Sequence, residues 1–133
     1  MNTAVAQGLR MLPGEFVIEH LPGAGGPVDD SWLAVVRAPE GLTVIRELTT
    51  GAQAPAEVWV ALYGDSAHGL DLPGMLAAVV GPLGDAAVPV FVASTFHADL
   101  VLVPREHIER AFEALRAAGH RVAGTDQRGE RAG

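Results

Sequence analysis

The hydrophobic pattern along this chain predicts an α+β protein. Three observations carry that reading. Short runs rich in β-branched and apolar residues recur at 15–20, 32–37, 42–48, 57–63, 88–95 and 99–103. Two longer stretches, near 73–84 and 105–118, instead space their apolar residues three and four apart. Turn residues punctuate the runs, most clearly Ala38-Pro39-Glu40-Gly41, where Pro at the second position and Gly at the fourth suit a type I turn. The chain has 133 residues, about the length of one domain, and its 49% apolar content is enough for a core.

The elements follow in order. Residues 1–10 show no periodicity and are expected to fray. Residues 15–20 (EFVIEH) read as a strand and 21–27 (LPGAGGP) as a loop. Asp29, Asp30 and Ser31 are placed to cap a single helical turn at Trp32 and Leu33. A hairpin of 32–37 and 42–48 comes next, with Arg37 and Arg46 expected to face each other across it. Residues 49–56 (TTGAQAPA) are small and polar and make a linker. In 57–63, Val58, Val60 and Leu62 alternate with Trp59, Ala61 and Tyr63, as in a strand buried on one side and partly covered on the other.

Asp71 can cap the next helix, Pro73 suits its first turn, and Met75, Leu76, Val79, Val80 and Leu83 keep a 3.6 period. Pro82 predicts a kink or an early end, because it removes one hydrogen bond. Phe96-His97-Ala98 turns the strand at 88–95 into the strand at 99–103. The last helix buries Ile108, Ala111, Phe112 and Leu115, pairs Glu106 with Arg110 on its outer side, and ends at Gly119. Residues 120–123 make a short final strand, and the tail 125–133 is expected to be disordered.

From residue 57 onward the order is β-α-β-β-α-β, the split βαβ or ferredoxin-like unit, with an antiparallel four-stranded sheet and both helices on one face. The first half repeats the start of that unit in abbreviated form. The chain therefore divides into an N-terminal module at 11–56, a C-terminal module at 57–124 and the tail, the two modules sharing one sheet system.

Charge and composition exclude several functions. The formal charge is −7, which argues against a sequence-independent grip on phosphate backbones or anionic membranes. All nine basic residues are arginine, so a Walker A lysine, a Schiff base and a pyridoxal site are absent. There is no cysteine, hence no disulfide, thiolate nucleophile or iron–sulfur site. The stretch at 72–84 is too short to span a bilayer, which takes roughly 20 residues. A soluble, cytoplasmic protein without cofactor is expected.

Individual motifs are weaker. Gly23-Ala24-Gly25-Gly26 follows a strand, but Pro27 comes at once and Val28 stands where a dinucleotide loop needs glycine. His97 and Asp99 spell His-x-Asp, a possible acid–base pair, although a surface turn histidine is the plainer reading. The other histidines show no metal-ligand spacing. Trp32 and Trp59 suit core anchors better than a base-stacking platform, which would want basic neighbours.

The stretch GLDLPGML at 69–76, followed by VPVFVASTFHADLVLVP at 88–104, resembles an ACT domain. It is similar to the paired ACT modules of small bacterial proteins and of the CASTOR arginine sensors. The shared text is an Asp-x-x-Gly turn into a helix (Asp71, Gly74), a strand ending in Ser-Thr (Ser94, Thr95) and an Asp opening the next strand (Asp99). The resemblance runs over 11–123 and is strongest at 69–119. It implies a regulatory, non-catalytic protein that binds a free amino acid and forms a homodimer. It also implies a site of Asp71, Leu72, Gly74, Met75, Ser94, Thr95, His97 and Asp99. On that reading the helix N-terminus takes the ligand carboxylate, and Asp99 takes its ammonium or guanidinium. Two alternatives stay open: an interaction module with a degenerate pocket, and a small enzyme using His97 and Asp99.

Overall fold

The structure, a computed structural model, describes residues 6–23, 28–49, 57–65 and 73–124. Among the described residues, eight strands make one sheet: β1 (Gly8–Met11), β2 (Phe16–Pro22), β3 (Trp32–Ala38), β4 (Gly41–Glu47), β5 (Trp59–Gly64), β6 (Phe91–Val92), β7 (Leu100–Pro104) and β8 (Arg121–Ala123). The same residues form two α-helices beside it, α1 (Met75–Asp85) and α2 (Ile108–Ala117), the second preceded by a short 3-10 turn at Arg105–His107. The elements from β5 to β8 keep the expected β-α-β-β-α-β order. Among the described residues, no helix is long and apolar enough to cross a membrane.

Strand β5 is the hinge of the sheet. One edge pairs antiparallel with β7, from Trp59↔Pro104 to Tyr63↔Leu100. The other edge is shared: β1 takes its end (Met11↔Leu62, Leu9↔Gly64) and β2 touches its start (Phe16↔Trp59). Strand β8 then pairs with β1 in parallel, Leu9 opposite Val122. This corrects two expectations. The C-terminal sheet is not four antiparallel strands, because β1 is inserted between β5 and β8. Nor does the segment before residue 11 fray throughout, since residues 8–10 belong to β1. Leu9 explains the insertion: it is 1% exposed and joins the helix-side core, a burial that GLRM does not announce by pattern.

Strict alternation divides the apolar residues between two faces. Val60, Leu62, Val101, Val103, Leu9 and Val122 meet Val79 and Leu83 of α1 and Ala111 and Leu115 of α2. On the opposite face Ala61, Leu100 and Leu102 join Phe16 of β2 and Ile45 of β4. The second cluster therefore crosses from one half of the chain to the other.

The N-terminal half is a three-stranded antiparallel arrangement, β3-β4-β2. The β3–β4 hairpin forms as expected, with Ala38 opposite Gly41. Gly41 has φ +133°, and a Cβ there would lie 2.4 Å from the Leu21 carbonyl oxygen, so the position requires glycine. Before β3 there is no helical turn. Asp29 Oδ1 accepts the Ser31 N–H and hydroxyl, both at 2.8 Å, and the chain passes from this turn straight into the strand. Those two bonds hold the Asp29 carboxyl below its usual range. Arg46 does not face Arg37: register places Trp32 opposite Arg46 and Leu42 opposite Arg37. Arg46 instead grips Glu19 of β2 with two bonds, at 2.9 and 2.7 Å.

Helix α1 begins after Gly74, whose φ of +85° lies in the left-handed region. It continues through Pro82 to Asp85. Pro82 has no N–H for the carbonyl of Ala78, one turn earlier. The ring of His120, 3% exposed, supplies the missing donor: Nε2 donates to Ala78 O at 2.7 Å. The Gln7 N–H donates to Nδ1 at 3.0 Å, which fixes the neutral Nε2–H tautomer. Gln7 also donates from Nε2 to Met75 O at 2.7 Å. The segment ahead of β1 is thus tied to the first turn of α1.

In α2, Ala111 and Leu115 are buried as expected. Glu106 does not pair with Arg110, however; its carboxylate lies 3.8 Å from His107 Nε2. Glu106 sits in the 3-10 turn, whose tighter winding takes it off the i,i+4 line of the α-helix. The linker at 50–56, the loop at 24–27 and the tail at 125–133 lie outside the described residues, as do Asp71 and Leu72.

Candidate functional site

Four of the predicted site residues, Ser94, Thr95, His97 and Asp99, lie in or beside the β6–β7 turn near the end of β5. The Gly64 N–H donates to the Asp99 carbonyl at 3.1 Å, joining the end of β5 to the start of β7. Backbone bonds continue the β6–β7 hairpin past its ladder, Ala93 N–H to Leu100 O at 2.9 Å and Thr95 N–H to Ala98 O at 2.8 Å. Phe96, His97 and Ala98 form the expected turn. The Thr95 hydroxyl braces it, accepting the N–H groups of His97 and Ala98, each at 3.2 Å.

Alternation sends these side chains to different faces. Val101 and Val103 face the helices, so Asp99 does too, as does Ser94 across the hairpin. The two meet: the Ser94 hydroxyl donates to Asp99 Oδ1 at 2.9 Å. Asp99 is 6% exposed, a carboxylate withdrawn from water at the strand end from which the chain leaves toward α1. Thr95 points to the other face, where its Oγ1 lies 2.7 Å from the Tyr63 hydroxyl. His97 is exposed at the tip, its ring edge-on to Phe96 at 5.2 Å.

Sequence adjacency therefore grouped residues that the sheet separates. Ser94 and Asp99 come together; Thr95 and His97 do not join them. Asp99 is buried, whereas His97 is exposed at the tip of the turn. Gly74 and Met75 begin α1, Gly74 exposed and Met75 half-buried with its carbonyl held by Gln7. Gly74 carries no capping side chain, and a Cβ there would meet nothing within 4 Å, so its left-handed φ is what calls for glycine. Asp71 and Leu72 fall outside the described residues. Sequence reading missed Tyr63 as a polar partner and missed Gln7 and His120 altogether. Tyr63 has no signal beyond its place at the end of an alternating strand. Among the described residues no group of three His, Cys, Asp or Glu side chains is arranged to hold a metal ion.

Residues 56–117 match the family model of the ACT domain. The match spans β5 to α2 and so includes the Ser94–Asp99 pair and the start of α1. ACT domains commonly bind small ligands in regulation. No curated protein matches the chain. Among solved structures, the chain is similar to protein Atu0741 from Agobacterium tumefaciens, with 21% identity, a TM-score of 0.78 and coverage of 96% of this chain and 100% of that one. It is also similar to VC0802 from Vibrio cholerae, a protein of unknown function described as a possible transport protein. There the identity is 21% and the TM-score 0.68, over 83% of this chain and 87% of that one. At these identities the likeness is one of fold.

Proposed function

We propose that the chain is a non-catalytic regulatory module that binds a free amino acid on the helix side of β5, and that it works as a cytoplasmic homodimer. The observation that carries this reading is the carboxylate of Asp99, 6% exposed and accepting a hydrogen bond from the exposed Ser94, inside the segment that matches the ACT domain. A carboxylate is the acceptor that a ligand ammonium or guanidinium requires. The N–H groups that open α1 after Gly74 would take the ligand carboxylate. Asp71 and Leu72, Met75, Thr95 and His97 complete the proposed site, Thr95 and His97 by shaping the turn.

The test is a thermal-shift screen against the twenty amino acids. A ligand at 100 times its Kd stabilises the fold by about 2.7 kcal/mol. One amino acid is expected to raise the midpoint, and Asp99→Asn and Ser94→Ala are expected to abolish or weaken that shift. A flat panel, or a shift that survives both variants, sinks the reading. The alternative is an interaction module whose pocket no longer binds. It draws on Phe96, 71% exposed at the hairpin tip, and predicts a partner lost in Phe96→Ser with no amino-acid response.

A further inference from the structure

The sheet face away from the helices carries an unusual group of charges at the Tyr63 end. Leu9 and Val122 point into the helix-side core, so Gly8, Arg10 and Arg121 point to the opposite face. Register sets Arg10 opposite Tyr63 on β5 and Arg121 opposite Gly8 on β1. The two arginines are thus diagonal neighbours on adjacent strands, within mutual reach of long side chains. Arg10 is exposed, and its guanidinium carbon lies 6.0 Å from the centroid of the Tyr63 ring. Arg121 is 73% exposed, with Asp65 at 3.9 Å. Both groups fold over Gly8, where a Cβ would come within 2.2 Å of Asp65 Oδ2 and 2.4 Å of Arg121 Nη2.

Three other arginines are bonded within the fold. Arg46 and Arg105 each hold a glutamate, at 2.7 and 3.0 Å, and Arg116 donates to the Val122 carbonyl at 2.9 Å. Arg116 also lies over an aromatic ring, 5.2 Å from the Phe112 centroid, but is hydrogen-bonded as well; among the described residues Arg10 meets the Tyr63 face and Arg121 a long ion pair with Asp65. An aromatic face stabilises a guanidinium while leaving its N–H edges open to an in-plane acceptor.

We propose that Arg10 and Arg121 form an anion shelf that takes a small organic monocarboxylate. Asp65 sits beside Arg121 and over Gly8, and its carboxylate repels a phosphate dianion more strongly than a single carboxylate. The formal charge of −7 on the whole chain also weighs against polyanions. The planar guanidinium fork matches a carboxylate with two parallel bonds. Tyr63, joined to Thr95, stiffens the ring on which Arg10 rests. The shelf lies on the opposite face from Ser94 and Asp99 and does not depend on the amino-acid reading.

The experiment is an NMR titration of isotope-labelled full-length protein with sodium acetate at constant ionic strength, balanced with sodium chloride. Saturable shifts are expected at the Arg10 Nε–H and at the amides of Gly8 and Arg121. Arg10→Gln and Arg121→Gln should each weaken acetate binding about tenfold, the loss of one charge-assisted contact. Both side chains are exposed, so neither change should move the unfolding midpoint much. Arg110→Gln on the outer side of α2 should change nothing, and Asp99→Asn should leave the acetate shifts intact while removing the amino-acid response. Shifts that never saturate, shifts that survive Arg10→Gln, or inorganic phosphate binding more tightly than acetate would each overturn the proposal.

Discussion

Strands β1, β5, β7 and β8 send one set of side chains beneath α1 and α2, whereas that helix-side cluster takes no residue from β2, β3 or β4. The N-terminal strands bury Phe16 and Ile45 against the back of the C-terminal strands instead, with Ala61, Leu100 and Leu102. Each half has its own hydrogen-bonded strands, yet this cluster needs both. The difference teaches that a short β-meander beside a helix-backed sheet is completed by the spare face of its neighbour. It also explains why residues 101–103 read as an unbroken apolar run: both faces of β7 are covered.

The comparison breaks first on the core. Leu62→Ala strikes the helix-side cluster and Ile45→Ala the shared one, and each should cost about 2–5 kcal/mol in urea unfolding. Both variants are expected to shift one common transition. Two separate transitions, with Ile45→Ala moving only one of them, would show that the halves fold independently.

A smaller effect sharpens the picture of the helix-backed half. His120→Ala leaves the Ala78 carbonyl and the Gln7 N–H without the ring that joins them, so it should cost about 1–3 kcal/mol. Hydrogen exchange should rise in the first turns of α1 and at Gly8–Met11, but not in the β3–β4 hairpin. Equal deprotection of both regions would mean that His120 supports the whole fold rather than this junction.

The smallest effect belongs to the N-terminal half. Two hydrogen bonds from Arg46 hold the Glu19 carboxyl below its ordinary value of 4.5. The folded pKa is depressed, so this stabilisation is present above pH 4.5 and is lost as the pH falls through the folded value. The pair is partly exposed, which limits it to about 1 kcal/mol or less. Glu19→Gln should flatten that part of the acid-unfolding profile and leave stability above neutral pH only slightly changed. An identical acid limb in the variant would remove Glu19 from the account.

The turn that carries Ser94, Thr95 and Asp99 was legible, though not which of their side chains meet. The hairpin turn, Ser94, Thr95 and Asp99 stand close in the sequence and keep their places in the fold. Their division between two faces follows from strand alternation, once the register with β5 is known. The Arg10–Tyr63 and Gln7–His120 partnerships join residues far apart in the chain, and no local pattern announces them.

The sequence by itself determined the helices, the two hairpins and the β-α-β-β-α-β order, because periodicity and turn chemistry act over a few neighbouring residues. Tertiary structure alone decided that GLRM becomes a strand between β5 and β8 and that His120 replaces the hydrogen bond lost at Pro82. In each case a weak local preference yields to burial or to an unmet backbone group, and those partners become available only after distant segments have packed.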